Sequence, residues 1–175
     1  MDVHNRDWVV ARNGLLCGKL LEIGSFVVPG QEHIALRPAV EKFVDSYLGI
    51  DMREGPGVDL VTSEDNAFPF EADTFDVVVS LDTLEHVRNP WTFIENAARV
   101  LKPGGYFFLA TVFSFPIHGY PDDYWRFTPN CLKMLVETYG LEVAGDLTPS
   151  QCCTTNAPHH LANPTIVRLI ARKPL

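Results

Sequence analysis

The chain has 175 residues and is 46% hydrophobic, enough for one core and too little for two ordinary domains, so residues 1–175 read as a single unit. A formal net charge of −8 opposes a broad nucleic-acid footprint or an anionic membrane surface and leaves a small polar or cationic partner as the better fit. No stretch approaches the roughly 20 apolar residues that cross a bilayer, and MDVHNRDW lacks a basic region followed by an apolar one; a cytoplasmic location is expected, with the four cysteines as reduced thiols.

Lys19 to Gly24 (KLLEIG) is a short apolar run closed by glycine, which suits a buried strand of a parallel sheet. Ser46 to Asp51 (SYLGID) and Val58 to Ser63 (VDLVTS) end at polar residues, and Phe75 to Ser80 (FDVVVS) is the most β-branched run in the chain. Between the first two strands the helical candidate is a short piece near Pro38 to Val44, and REGPGVD reads as loop, so the early helices are abbreviated. Asn89-Pro90 opens a helix over Trp91 to Leu101, with Phe93, Ile94, Ala97, Ala98 and Leu101 on one face. Lys102-Pro103-Gly104-Gly105 stops it. Tyr106 to Val112 is a fifth strand. Thr128 caps a second helix with Pro129 at its first position, running to Tyr139-Gly140, and Leu141 to Leu147 and Thr165 to Ala171 are the last strands. This alternation predicts an α/β fold with a mostly parallel sheet covered on both faces.

In such a sheet the ligand crevice lies beyond the carboxyl ends of the strands. Gly24 at the first tip lets a ligand approach the backbone, and Asp51 at the second is placed for a ribose diol, a pairing that points to an adenosine-like ligand. LLEIGS, YLGID, FPFEADTFDVVVSLDTLEHV and RVLKPGGYFFLA, taken together over about residues 19 to 112, resemble the class I S-adenosylmethionine-dependent methyltransferases of the compact, methyltransferase domain 11-like type. The resemblance implies a Rossmann-like seven-stranded sheet of order 3-2-1-4-5-7-6 with strand 7 antiparallel and no cap domain, and S-adenosylmethionine as cofactor. It implies that Glu22, Gly24 and Ser25 line the methionine end, that Asp51 holds the ribose with Met52 against the adenine, and that Glu64 and Asp65 contact the adenine ring. It puts Leu81 and Asp82 beside the sulfonium, with His86 in the EHV segment. Phe26 stands where the family has a second glycine, which disfavours a dinucleotide whose pyrophosphate needs that approach.

FSFPIHGYPDDYWRFTP, Phe113 to Pro129, leaves the fifth strand on the crevice edge. There it walls an acceptor site, with Phe115, Tyr120, Tyr124 and Trp125 as substrate contacts. Methyl transfer from a sulfonium needs positioning above all, and a base only where the acceptor is a hydroxyl. His118 is the first candidate base, with Asp122, Asp123 and His86 behind it. The competing reading is a proline-pinned loop whose aromatics plug the core and whose aspartates cap a turn or pair with Arg126. In QCCTTNAPHH the adjacent Cys152-Cys153 and His159-His160 do not match zinc spacing, so no metal is expected; His159 and His160 hang over the same mouth as acceptor-side residues. The expected activity is transfer of a methyl group to an oxygen or nitrogen of a small molecule. Without an inserted cap, the pocket is shallow or is completed by a second copy or a partner chain. A scaffold that has lost catalysis stays open as an alternative because of Phe26, and a nucleotide-sugar or NAD enzyme ranks last for want of further glycines.

Overall fold

The computed structural model describes residues 2–63, 68–118, 122–150 and 165–175. Its centre is a seven-stranded sheet of β1 (Lys19–Ile23), β2 (Ser46–Asp51), β3 (Leu60–Val61), β4 (Phe75–Leu81), β5 (Leu101–Val112), β6 (Glu142–Ser150) and β7 (Ile166–Arg172), in the order β3-β2-β1-β4-β5-β7-β6. β7 runs antiparallel to both neighbours and the pairings from β3 to β5 are parallel. This is the order and the single reversal that the resemblance implied. β4 sits between β1 and β5, and Val77, Val78 and Val79 are fully buried, alternating between the two faces.

One face carries α3 (Pro90–Val100) and α4 (Pro129–Thr138). Each begins as its sequence dictates: Asn89 accepts from the Thr92 amide at 3.2 Å, Thr128 accepts from the Cys131 amide at 3.2 Å, and proline opens both helices. The other face is thinner, covered by α1 (Val3–Val10) and the one-turn α2 (Arg37–Val40), which continues as a 3₁₀ turn over Glu41–Phe43. The Lys102-Pro103-Gly104-Gly105 stop is absorbed into β5 as an irregularity: Leu101 pairs with Phe75 and Tyr106 with Val77, and Gly104 takes a φ of 81°.

Helix α1 carries no apolar periodicity, because Asn5 shares its buried side with Trp8 and Val9. Polar bonds dock it instead. Asp2 caps it, the Asp2 amide and the Asn5 Nδ2 each donate to the Asp82 carboxylate at 2.7 Å, and Arg168 Nε donates to Asn5 Oδ1 at 2.8 Å. Trp8 Nε1 donates to Asp146 at 2.9 Å while its ring packs edge-on against Phe108.

Glu22, inside β1, is buried against Tyr47, whose hydroxyl donates to its Oε2, and its Oε1 has no hydrogen-bond partner. Burial pushes this carboxyl up to about 7 from 4.5. The folded chain therefore keeps a proton that the unfolded chain has already released, so this contribution to stability is present below pH 4.5 and is lost as pH rises toward 7. Glu22→Gln should remove that slope, changing the stability difference between variant and wild type by on the order of 3 kcal/mol between acid and neutral pH. Urea unfolding at both ends of the window checks it, and parallel pH dependences in the two proteins would contradict it.

Candidate active site

The carboxyl ends of β1, β2, β4 and β5 open on a cavity of about 520 Å³, within the range of roughly 300–1,000 Å³ usual for small-molecule sites. Ile23, Gly24, Phe26, Asp51, Met52 and Leu81 line one part of it, and Glu85, His86, Phe115 and His118 line another. Gly24 has a φ of 85°, and a Cβ there would lie 2.0 Å from Thr83 Oγ1, so only glycine lets the chain turn at this tip. Asp51 ends β2 with its carboxylate at the cavity. It accepts the Phe26 amide at 3.1 Å and the Arg53 amide at 3.0 Å, and a carboxylate has lone pairs to spare beyond those two. The Phe26 ring stands to one side: it lies against Gly55, which has room for no Cβ, and beneath the Arg53 guanidinium at 4.1 Å. A ring in that position forms a wall of the cavity, and the glycine cradle, acceptor carboxylate and apolar lining suit a nucleoside that carries no phosphate.

At the other end, the 3₁₀ turn over Leu84–His86 and the loop after β5 bring three groups together. Phe127 donates to the Val112 carbonyl at 2.9 Å, which closes that loop at its neck, and the amides of Tyr124 and Trp125 donate to the Glu85 carbonyl. Asp123 shapes the loop from within, accepting both Arg126 Nη1 at 2.5 Å and Nη2 at 2.8 Å together with the His118 amide at 2.8 Å. The guanidinium holds the Asp123 carboxyl far below the usual carboxylate range. His118 Nδ1 lies 3.1 Å from Asp123 Oδ2 and 3.2 Å from the Pro116 carbonyl, both acceptors, so Nδ1 carries the proton and Nε2 is bare. His86 is set likewise, with Nδ1 at 2.5 Å from the Asp122 carbonyl, and burial moves its pKa down. Glu85 has a fully buried side chain. Its Oε2 accepts from Thr111 at 2.7 Å, its Oε1 has no hydrogen-bond partner, and burial beside Asp82 pushes its carboxyl well up.

The residues expected at the site divide into three groups. Gly24, Asp51, Met52, Leu81, Asp82, His86, Phe115 and His118 line the cavity. Glu64, Asp65, Tyr120, His159 and His160 lie outside the described residues. The rest are turned elsewhere: Glu22 points into the Tyr47 side of the sheet, and Ser25 is buried toward Gly49 and Gly57. Tyr124 bonds Asp122 at 2.9 Å and Arg88 at 3.1 Å, and Trp125 Nε1 donates to Val87 at 2.9 Å while its ring packs on Trp91. Asp122 and Asp123 serve the two histidines, one through its carbonyl and one through its carboxylate, so the loop-building role weighed against the functional one is real for these four residues. Asp82, at a strained φ of 51°, spends its carboxylate on the first turn of α1. Missed in the sequence were Glu85, Arg53 and Thr83. Glu85 stood beside His86 in the EHV segment, and an acid adjacent to a histidine just past the β4 tip was the available signal.

A sequence profile described as "Methyltransferase domain" matches residues 36–109. The ubiquinone biosynthesis O-methyltransferase of Maricaulis maris is 33% identical over 100 residues, covering 57% of this chain and 37% of that protein. The Pseudomonas aeruginosa protein of the same name is 36% identical over 121 residues, covering 61% and 49%. The chain thus spans at most about half the length of these curated relatives. Among solved structures, a putative S-adenosylmethionine-dependent methyltransferase from Listeria monocytogenes superposes with a TM-score of 0.71 at 14% identity, covering 99% of this chain and 98% of that one. A putative methyltransferase of Haloferax volcanii, solved in complex with the Trm112 activator, gives 0.70 at 20% identity, covering 98% and 90%. At those identities the structures speak for the fold alone. Residues 36–109 thus match a methyltransferase domain, and the chain has the fold seen in S-adenosylmethionine-dependent methyltransferases.

Proposed function

We propose that this chain transfers the methyl group of S-adenosylmethionine to a hydroxyl oxygen of a small molecule. When bound, that cofactor supplies an electrophilic methyl on a sulfonium. The residues that would hold it are Gly24, which lets it approach the backbone, Asp51, which accepts ribose hydroxyls, and Met52, Phe26 and Leu81, which offer apolar walls. The observation that carries oxygen as the acceptor is the bare Nε2 of His118, a residue that lines the same cavity and whose Nδ1 is held by the Pro116 carbonyl beside Asp123. A hydroxyl placed there gives its proton to Nε2 as its oxygen becomes nucleophilic, and Arg126 keeps Asp123 ionised to stabilise the imidazolium that results. Phe115 packs edge-on against His118 with ring centroids 4.8 Å apart and lines the same cavity. The curated relatives carry O-methyltransferase names, which supports oxygen over nitrogen. A second copy or a partner chain completing the acceptor pocket belongs to the same reading.

Incubation with cofactor labelled in its methyl group and a panel of hydroxylated and aminated aromatics tests it. Label should move to hydroxylated compounds and depend on the chain. Transfer confined to amines would contradict the oxygen reading, and transfer to none of them would leave the scaffold alternative in its place.

A further inference from the structure

We propose that Glu85, His86 and His118 form a binding site for a divalent cation of the zinc class, open toward the cavity, where the cation takes the acceptor's hydroxyl oxygen. That oxygen's arrival rests on the methyl-transfer reading above; the cation site itself does not.

The three side chains each offer one donor atom, and these atoms all lie within 4.8 Å of one another. Glu85 Oε1 is 3.9 Å from His86 Nε2 and 3.8 Å from His118 Nε2. Those separations are too long for hydrogen bonds, and Oε1 has no other partner although the Glu85 side chain is 0% exposed. A buried carboxyl oxygen left so is costly while it has no partner, and a cation bound between it and the two imidazoles would supply one. The two imidazoles face it with the nitrogens that carry no proton, since each Nδ1 proton is taken by an acceptor, the Asp122 carbonyl for His86 and the Pro116 carbonyl, with the Asp123 carboxylate close beside it, for His118. Metal-ligating histidines are oriented in this way, by a carbonyl or carboxylate on the far ring nitrogen.

Two imidazoles and a carboxylate suit zinc, and three protein ligands with one position open are the pattern of a catalytic rather than a structural site. Bonds of about 2.0–2.2 Å would put tetrahedral donor atoms about 3.4 Å apart. The two Glu85 pairs would therefore close by about half an ångström around the ion and the His86–His118 pair, within 4.8 Å, by up to about 1.4 Å. The open side faces the cavity that all three residues line. With the cation in place, His118 serves as a ligand and the acceptor's O–H proton passes to bulk water. The oxygen then provides the electron pair of the new C–O bond, and the sulfur keeps the pair of the broken S–C bond.

The experiment uses the full chain, freed of metal with a chelator and then titrated with Zn²⁺ by calorimetry and with Co²⁺ by visible absorption. One ion per chain is expected, with Co²⁺ bands of a low-coordinate site. Glu85→Gln, which keeps an acceptor for Thr111, and His118→Asn should each lower Zn²⁺ affinity at least about tenfold with the unfolding profile retained. A combined Cys152→Ser, Cys153→Ser, His159→Ala, His160→Ala variant should bind as wild type. Failure to bind either ion, or binding that survives Glu85→Gln and disappears in the combined variant, would overturn the site. Titration of the metal-free chain with S-adenosylmethionine separates the two readings. Cofactor binding without any zinc binding removes the cation site and spares the methyltransferase, whereas zinc binding without cofactor binding keeps the site and removes the methyltransferase.

Discussion

His118→Ala should lower methyl transfer to a hydroxyl acceptor by about 10²–10⁴-fold, the range over which a positioned general base acts, while leaving cofactor affinity unchanged. The asymmetry follows from where the residue sits. Gly24 and Asp51 stand at the tips of β1 and β2, whereas His118 is carried by the loop after β5 and touches Asp123, Phe115 and the neighbourhood of Glu85. The fold should tolerate the change. The side chain is 28% exposed, and the loop is held by Asp123, Arg126 and the Phe127-to-Val112 bond, none of which depends on the imidazole. Whether Nε2 takes the proton itself or holds a cation that acidifies the hydroxyl, its removal strikes the acceptor and spares the cofactor. Turnover at the wild-type rate would mean that alignment alone suffices, since proximity can supply roughly 7–11 kcal/mol without any base.

Asp51→Ala should act on the other half of the site, weakening S-adenosylmethionine by about 1.5–3 kcal/mol, the scale of hydrogen bonds to a charged acceptor, or roughly tenfold to more than a hundredfold in Kd. Asp51 also organises the tip itself. Without its carboxylate the Phe26 amide loses its acceptor, and the Arg53 guanidinium over the Phe26 ring loses the charge it reaches at 3.5 Å. Part of the loss would then come from a wall that moves, and Asp51→Asn, which preserves an acceptor oxygen, should fall between the two. Calorimetry on the three proteins reads the series directly. An affinity indifferent to both substitutions would place the cofactor elsewhere.

The sheet was legible because its strands are apolar runs closed by glycine, aspartate or serine, and because two helices announce themselves with Asn89-Pro90 and Thr128-Pro129. α1 was not legible. Its buried side includes Asn5, and what docks it is a set of long-range bonds to Asp82 and Arg168 that no local pattern encodes. At the site, Gly24 and Asp51 could be placed because strand tips converge by topology. The segment after β5 was placed at the crevice edge, where Phe115 and His118 line the cavity, yet the direction of each described side chain within it was hidden. Whether Tyr124 faces a ligand or Arg88 depends on a loop built around the Asp123–Arg126 pair, and alternation rules do not apply to such a loop. Glu85 was passed over for a related reason. An acid in a short turn reads as solvent-exposed, and only the packing of β5 and the loop above it makes this one fully buried.

The most direct test of a nucleoside pocket at the β1 and β2 tips is calorimetric titration of the wild-type chain with S-adenosylmethionine and, separately, with its demethylated product. Both should bind at one site per chain and compete with each other. Absence of heat from either ligand, with the fold intact, would contradict the account.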